Sequence, residues 1–294
     1  MASLVRDYNF ELNGVVFGIG QPVDMEENGF KPGDPDLASS RARNPTGHGT
    51  LPGRDFRGSA TWAFDLFVNG TDPAGALATA ATLRNAWWNE RTEDTPGAFD
   101  VLRYRLAGRT RRIYGRAQHW TPTIGNGLLG GFVPITADFE QMDPFIYDDQ
   151  EQSVSIGYYG TPPVAGLEGP LESPLISDGG DNVVQLGVVN VAGERPTWIE
   201  VEFHGSQINP WVTLGSWRIE LNDSVGTDDH VVIDPRPLAR TVLRNGSGRV
   251  RISNTSRLAV MQLAPGRYTL GYGALSADGS AGVTIRWHNA YKSI

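Results

Sequence analysis

Five histidines, His48, His119, His204, His230 and His288, are the side chains that would serve first as metal ligands or general bases. None stands in HExxH or another metal-ligand spacing. The chain has no cysteine, which excludes disulfides, thiolate catalysis and cysteine-ligated zinc. The densest polar cluster, Asp228-Asp229-His230, reads as a turn before a strand. Glu26-Glu27 and the pair Glu200/Glu202 offer the two carboxylates a glycosidase needs. Glu200 and Glu202, however, alternate with Ile199, Val201 and Phe203, which makes them the solvated face of a strand. There is no G-x-S-x-G elbow, and the α/β pattern that carries it is absent. Gly18-Ile19-Gly20 and Gly271-Tyr272-Gly273 lack the third glycine and the strand–turn–helix setting of a dinucleotide loop. No catalytic residue, metal ligand or cofactor is assigned, and the chain reads as a non-enzyme.

Two constellations could bind instead of react. Six arginines lie between Arg103 and Arg116, interleaved with Tyr104 and Tyr114 and followed by Trp120. On a strand that is the make-up of a single-strand nucleic-acid platform. The other reading has solvent-facing arginines paired to carboxylates of the same or a neighbouring subunit. Arg103 and Arg105 should point away from the core, since Leu102, Tyr104 and Leu106 take the opposite face at period two. Trp211 and Trp217 could stack on sugar rings if exposed, or sit in a core or an interface if not.

The elements that must position these residues are mostly strands. The 294 residues are 39% hydrophobic and 20% charged, enough to fill a core, and 36 glycines and 19 prolines favour turns over long helices. Net charge is −8, the wrong sign for a duplex-binding footprint. No apolar run approaches the ~18 residues of a membrane span, so no membrane insertion is expected. Asn13-Gly14 joins a hairpin. Residues 24–58 hold Pro32, Pro35, Pro45 and Pro52 with few apolar anchors, among them Phe30, Leu37, Leu51 and Phe56. They read as a long loop, either a disordered surface loop or an arm that orders against a neighbouring subunit. Trp62, Phe64 and Leu66 alternate on a half-buried strand. Asp72 as N-cap and Pro73 at the first position open one helix, about 72–89, with Leu77, Ala80, Leu83 and Trp87 on its apolar face. Adjacent Trp87 and Trp88 cannot face the same way, so one is core and the other is placed at an interface. Beyond an acidic, Gly/Pro-rich stretch the rest reads as about eight short strands with an Asn245-Gly246 hairpin, an antiparallel sandwich. Two domains follow, 1–155 and 156–294.

The order of these features resembles the distal tail protein (minor tail protein) family of long-tailed, siphovirus-type bacteriophages. The likeness runs from Leu12-Asn13-Gly14 through Leu51-Pro52-Gly53-Arg54-Asp55-Phe56-Arg57-Gly58, Thr61 to Leu66, the single Ala-rich helix and Asp143-Pro144-Phe145. It continues in Ile208-Asn209-Pro210, Ile233-Asp234-Pro235-Arg236, Leu263-Ala264-Pro265-Gly266 and the closing strand Thr284 to Tyr291. The resemblance implies a mainly β fold: an N-terminal split-barrel-like β domain with one α-helix, then a C-terminal galectin-like antiparallel β-sandwich. It implies a virion protein of the tail tip, synthesised in the host cytoplasm, that forms a hexameric ring. The partners it implies are a tail tube protein, a tip hub protein and genomic DNA that passes through a channel without specific binding. Host surface polysaccharide is the alternative partner, met through Trp211 and Trp217, and a tail-associated glycoside hydrolase is the third reading. On the ring reading, Phe30, Phe56, Arg57, Trp88, Arg103 and Arg105 are the candidate subunit-interface residues. The 24–58 segment is long for the family.

Overall fold

The computed structural model describes residues 4–158, 184–237 and 239–294. It divides into two compact units, one of residues 1–150 with 291–294 and one of residues 151–290. The boundary lies at 150/151 rather than at 155/156, because the strand Gln152–Gly157 pairs along its length with Gly282–Trp287 and is part of the second unit's sheet. The Gly/Pro-rich stretch 157–174 lies, apart from Gly157 and Tyr158, outside the described residues.

The first unit runs β1 (Asn9–Leu12), β2 (Val15–Gly18), β3 (Val23–Lys31), β4 (Leu37–Arg43), β5 (Thr50–Arg57), β6 (Ala60–Asn69), α1 (Pro73–Trp87), α2 (Glu90–Asp94), β7 (Asp100–Leu106), β8 (Arg109–Pro122), β9 (Phe132–Gln141) and β10 (Ile146–Asp148). Seven strands form one antiparallel path, β2-β1-β7-β8-β9-β6-β3, and β10 pairs with β8. The two ends of the path, β2 and β3, lie side by side without ladder bonds, so the sheet curls into an incompletely closed barrel. Its tight hairpins follow from sequence: Asn13 (φ 48°) and Gly14 (φ 86°) supply the two left-handed residues of a two-residue turn, as do Ala107 and Gly108.

Period two sends Trp62, Phe64, Leu66 and Val68 of β6 inward, all essentially buried. Helix α1 covers this core. The Asp72 side chain accepts a hydrogen bond from the Gly75 N–H at 2.9 Å, and Pro73 occupies the first turn. The buried face is Ala76, Ala80, Leu83, Ala86 and Trp87; Leu77 is 42% exposed, so the apolar stripe starts one residue earlier than its large side chains suggest. Small alanines let the helix approach the sheet, which leucine at that position would not. A five-residue helix, α2, follows.

Residues 24–58 are not a structureless loop. β3 pairs with β6 through a bulge between Met25 and Phe30, and β4 and β5 pair with each other alone. Every residue of β4 and β5 is exposed. The segment is therefore a strand of the barrel followed by a free-standing hairpin arm.

In the second unit, one sheet contains 152–157, 282–287, 200–204, 230–234, 241–244 and 248–249, and another contains 185–191, 266–273, 211–214 and 217–220. Val201, Phe203, Val231, Ile233, Val283 and Ile285 of the first share a fully buried core with Val189, Val212, Leu214, Leu270 and Tyr272 of the second. This is a two-layer antiparallel sandwich.

The facing of α1 is open to a direct test. Leu83→Ala should destabilise the first unit by about 2–5 kcal/mol, the usual result of emptying a closed core site. Leu77→Ala should change stability by less than about 0.5 kcal/mol, as exposed sites do. Urea unfolding of both variants, followed by tryptophan emission, reads the difference; equal losses would contradict this helix orientation.

Candidate functional site

The arginine hairpin is built by β7 and β8, and its outer face is an ion cluster. Arg103 donates to Asp149 Oδ1 from Nε at 2.8 Å and to Glu11 Oε2 from Nη1 at 2.8 Å. Arg112 reaches the same Asp149 Oδ1 from Nη2 at 2.7 Å. Register explains the meeting: Arg103 lies opposite Glu11 across β1–β7 and opposite Arg112 across β7–β8. The side chains of Arg103, Arg112 and Asp149 are only 12–13% exposed. Burial acts to raise the Asp149 pKa, but hydrogen bonds from Arg103 and Arg112 outweigh it and hold the carboxyl below its ordinary value. The same contacts raise the Arg103 guanidinium.

Three of the four remaining arginines of the hairpin are also engaged within the unit. Arg105 approaches Asp7 at 3.5 Å, Arg111 lies over the Tyr291 ring at 4.3 Å, and Arg116 donates to the Ala98 and Thr95 carbonyls. Arg109 is exposed at the turn. Tyr104 and Tyr114 are buried. Of the nucleic-acid platform, the exposed Arg109 and the half-buried Trp120 are what remains outside these contacts. Arg103 does point away from the core, as period two requires, yet its partners are carboxylates of its own chain. Both partners are remote in sequence, Glu11 by 92 positions and Asp149 by 46.

Phe30 is likewise drawn inward. It packs on Phe10 (4.9 Å), Trp62 (5.4 Å) and Phe64 (5.5 Å) and belongs to the core of the barrel, not to the arm. Phe56 is 57% exposed on β5, and Arg57 stands at its end, 3.6 Å from the exposed Asp34.

Of the adjacent tryptophans, Trp87 is 3% exposed and Trp88 56%. Trp88 is nevertheless fixed. Its Nε1 donates to Glu93 Oε2 at 2.9 Å, and Arg84 stacks on its ring at 5.6 Å. Below it, Asp100 Oδ1 accepts from Asn89 (2.7 Å), Thr92 (2.9 Å) and Asn13 (3.2 Å), tying the helix ends to the first hairpin. Asn13 also caps the Ala86 carbonyl at 2.8 Å. A cleft of about 270 Å³ opens beside it, lined by Arg84, Trp87, Trp88, Glu93, Gln118 and Trp120. Sequence reading found Trp88 but not this cleft, because Gln118 and Trp120 reach it only through the β8–β9 pairing.

In the sandwich, Trp217 is 5% and Trp211 9% exposed, with Arg218 over the Trp211 ring at 4.2 Å. Neither offers a free face to a sugar, so the stacking platform is not formed. Glu200 and Glu202 are not a plain solvated face: both pair with Arg286, Glu200 at 3.3 Å. Burial pushes the Glu200 pKa up, Asp234 adds to this, and Arg236 and Arg286 oppose it. Asp228-Asp229-His230 leads into the strand 230–234 as a turn. Among the described residues no group of three or more His, Cys, Asp or Glu could hold a metal ion.

Residues 192–291 match the model of the siphovirus-type tail component, C-terminal domain. Over the whole length, the fold is similar to that of the Dit protein of phage SPP1, from the hub adsorption apparatus of phages infecting Gram-positive hosts. That match covers 96% of this chain and 98% of the other, with TM-score 0.56 and 12% identity. It is also similar to chains of the phage P2 baseplate in its activated conformation. The calcium form covers 91% of each chain at TM-score 0.51, and the strontium form covers 96% and 98% at TM-score 0.55, each at 12% identity. No curated protein matches. The mainly β fold and the likeness to the distal tail proteins, read from the residues, both hold.

The ion cluster makes a testable demand. Arg103→Gln leaves Asp149 and Glu11 without their main partner and should cost about 3–5 kcal/mol at pH 7, as breaking buried pairs does. Because the folded Asp149 pKa is lowered, its contribution is complete above the unfolded value of about 4 and fades as pH falls through the folded value. The gap between wild type and variant should therefore persist at neutral pH and narrow below about pH 4. A gap that stays constant down to pH 2.5 in urea titrations would refute the assignment.

Proposed function

We propose that the protein is a structural subunit of the phage tail tip. It forms a ring, hexameric in this reading, that joins the tail tube protein to the tip hub and surrounds a channel for the genome. The reading rests above all on one combination: a tail component domain at residues 192–291 within a chain whose fold follows distal tail protein structures end to end. The chemistry of the first unit supports it. A ring subunit has to present rigid surfaces to copies of itself, and the unit offers the exposed arm β4–β5 and the immobilised Trp88. Phe56, Arg57 and Trp88 are the interface residues that remain candidates, with Arg105 at the margin, whereas Phe30 and Arg103 act inside the subunit. A genome channel also calls for weak attraction to phosphate. The net charge of −8 and the engagement of the hairpin arginines with their own carboxylates suit that role. In this reading the protein resides in the virion and does no chemistry.

Light scattering on the purified full chain, alone and mixed with the tail tube protein of its phage, tests the proposal. The expected particle has six times the 31.9 kDa chain mass and no salt-dependent affinity for duplex DNA. A monomer under every condition, or tight DNA binding abolished by moderate salt, would overturn it.

A further inference from the structure

Two surfaces of the first unit are left uncovered in the single chain, and their chemistries match. The arm is the first. In register, Ala38 lies opposite Phe56 and Ala42 opposite Leu51, while Leu37, Ser39, Arg41 and Arg43 face Arg57, Asp55, Pro52 and Thr50. Cross-strand partners share a face. The ribbon thus has one face of Ala38, Ala42, Leu51 and Phe56, with Arg54 stacked on the Phe56 ring at 5.3 Å, and an opposite face that is largely basic and polar. Residues 37–57 carry four arginines and one aspartate, a net +3 on a chain of net charge −8. Two-stranded ribbons are marginal alone in water and need a packed face. This one is tied to the body only at its root, through Asp36, Gly58 and Ser59.

The second surface is the Trp88 cleft. Its aromatic floor is Trp87 with Trp120, ring centroids 5.7 Å apart, and its wall is the exposed Trp88 held by Glu93. Arg84 and Glu93 line its rim, and on the adjoining α2 the exposed Glu90, Glu93 and Asp94 outnumber the exposed Arg91, while Gln118 at the other side is bonded to Glu140 at 3.0 Å. A rigid, half-exposed tryptophan above a pocket, ringed by polar groups, is the form of an interface anchor. Its match on the arm is an exposed aromatic with an arginine beside it.

We propose that the apolar face of the arm of one copy seats in the Trp88 cleft of a second copy, with Phe56 against Trp88 and Arg54 toward the α2 carboxylates. This rests on the ring reading and names the contact that would close it. The interface is heterologous, arm to socket, which is the arrangement that propagates around a ring.

The absence of native cysteine gives a clean test in the full chain. Single variants Leu51→Cys and Arg91→Cys, both at exposed positions, are mixed and treated with a short bis-maleimide, with Leu51→Cys plus the remote exposed Asp228→Cys as control. The expected result is a covalent dimer at least tenfold above the control, and a ladder from the doubly substituted chain. Arg54→Glu in the arm copy should lower the yield about tenfold, and Glu90→Arg in the socket copy should restore it. Mass measured on the same samples separates the two ideas. A ring without enriched cross-linking overturns the arm-to-socket contact and leaves the ring standing, and monomers alone overturn both. Arm cross-linking suppressed by added duplex DNA, with no effect of Trp88→Ala, would assign the arm to nucleic acid and overturn the proposal.

Discussion

The ring of Phe64 is the point on which the first unit turns. It is fully buried and touches Phe10 of β1 (5.1 Å), Phe17 of β2 (5.6 Å), Phe30 of β3 (5.5 Å) and Trp87 of α1 (6.0 Å). Aromatic contacts of this kind have preferred geometries, so one side chain fixes the relative placing of four elements. Two consequences reach the surface. Phe30 holds β3 onto β6, so the arm that follows springs from a rigid root. Trp87, turned inward to meet Phe64 and Phe17, leaves Trp88 facing solvent at the end of the same helix. The two outward features of the unit are therefore set by a single buried contact, and the Asp100 network only locks what that contact has aimed.

Charge organises the rest. Of the arginines on β7 and β8, Arg103 and Arg112 close on Asp149, and Arg103 also on Glu11. A buried pair of this sort adds little net stability over an apolar replacement, yet an unpaired member would be costly. It thus acts as a register lock: slipping β1 or β10 by one residue would turn a carboxylate away from its guanidinium. The sandwich repeats the device on its own sheet, where Arg286 of the last long strand holds Glu200 and Glu202 of the neighbouring strand. Of the first unit's exposed arginines, Arg41, Arg43, Arg54 and Arg57 stand together on the arm, and Arg6, Arg84, Arg91 and Arg109 stand elsewhere.

How much of this the sequence discloses depends on range. The Asn13-Gly14 turn, the Asp72 cap, the alternation of Trp62 to Leu66 and the opposite facing of Trp87 and Trp88 are local, and local rules recover them. β4 and β5 bury nothing, and a hydrophobic period is the signal by which strands are read, so the sequence leaves a disordered loop and an ordering arm as alternatives and marks neither strand. On the helix, Ala80, Leu83 and Trp87 lie on the buried face as expected, and Ala76 takes the place expected for Leu77. Phe30 and Arg103 were assigned outward roles because their partners, Phe64 and Asp149, are set by strand pairing across 34 and 46 positions. Trp211 and Trp217 carry no mark in the sequence that distinguishes a sugar platform from a core, and the packing of the sandwich decided for the core.

The arm also occupies a particular place in the topology. β3 and β6 are antiparallel neighbours, and β4–β5 is the connection between them grown into a ribbon. Nothing in the barrel's path depends on that ribbon's length, and lengthening a surface connection adds little closure cost. Its conformation, in contrast, is specified: Gly53 lies at the bulge where a Cβ would meet the Ser40 carbonyl at 2.3 Å, so side chains there would break the pairing. A connection free to vary in length yet built with a defined register, an apolar face and a basic face is what the proposed arm-to-socket contact requires.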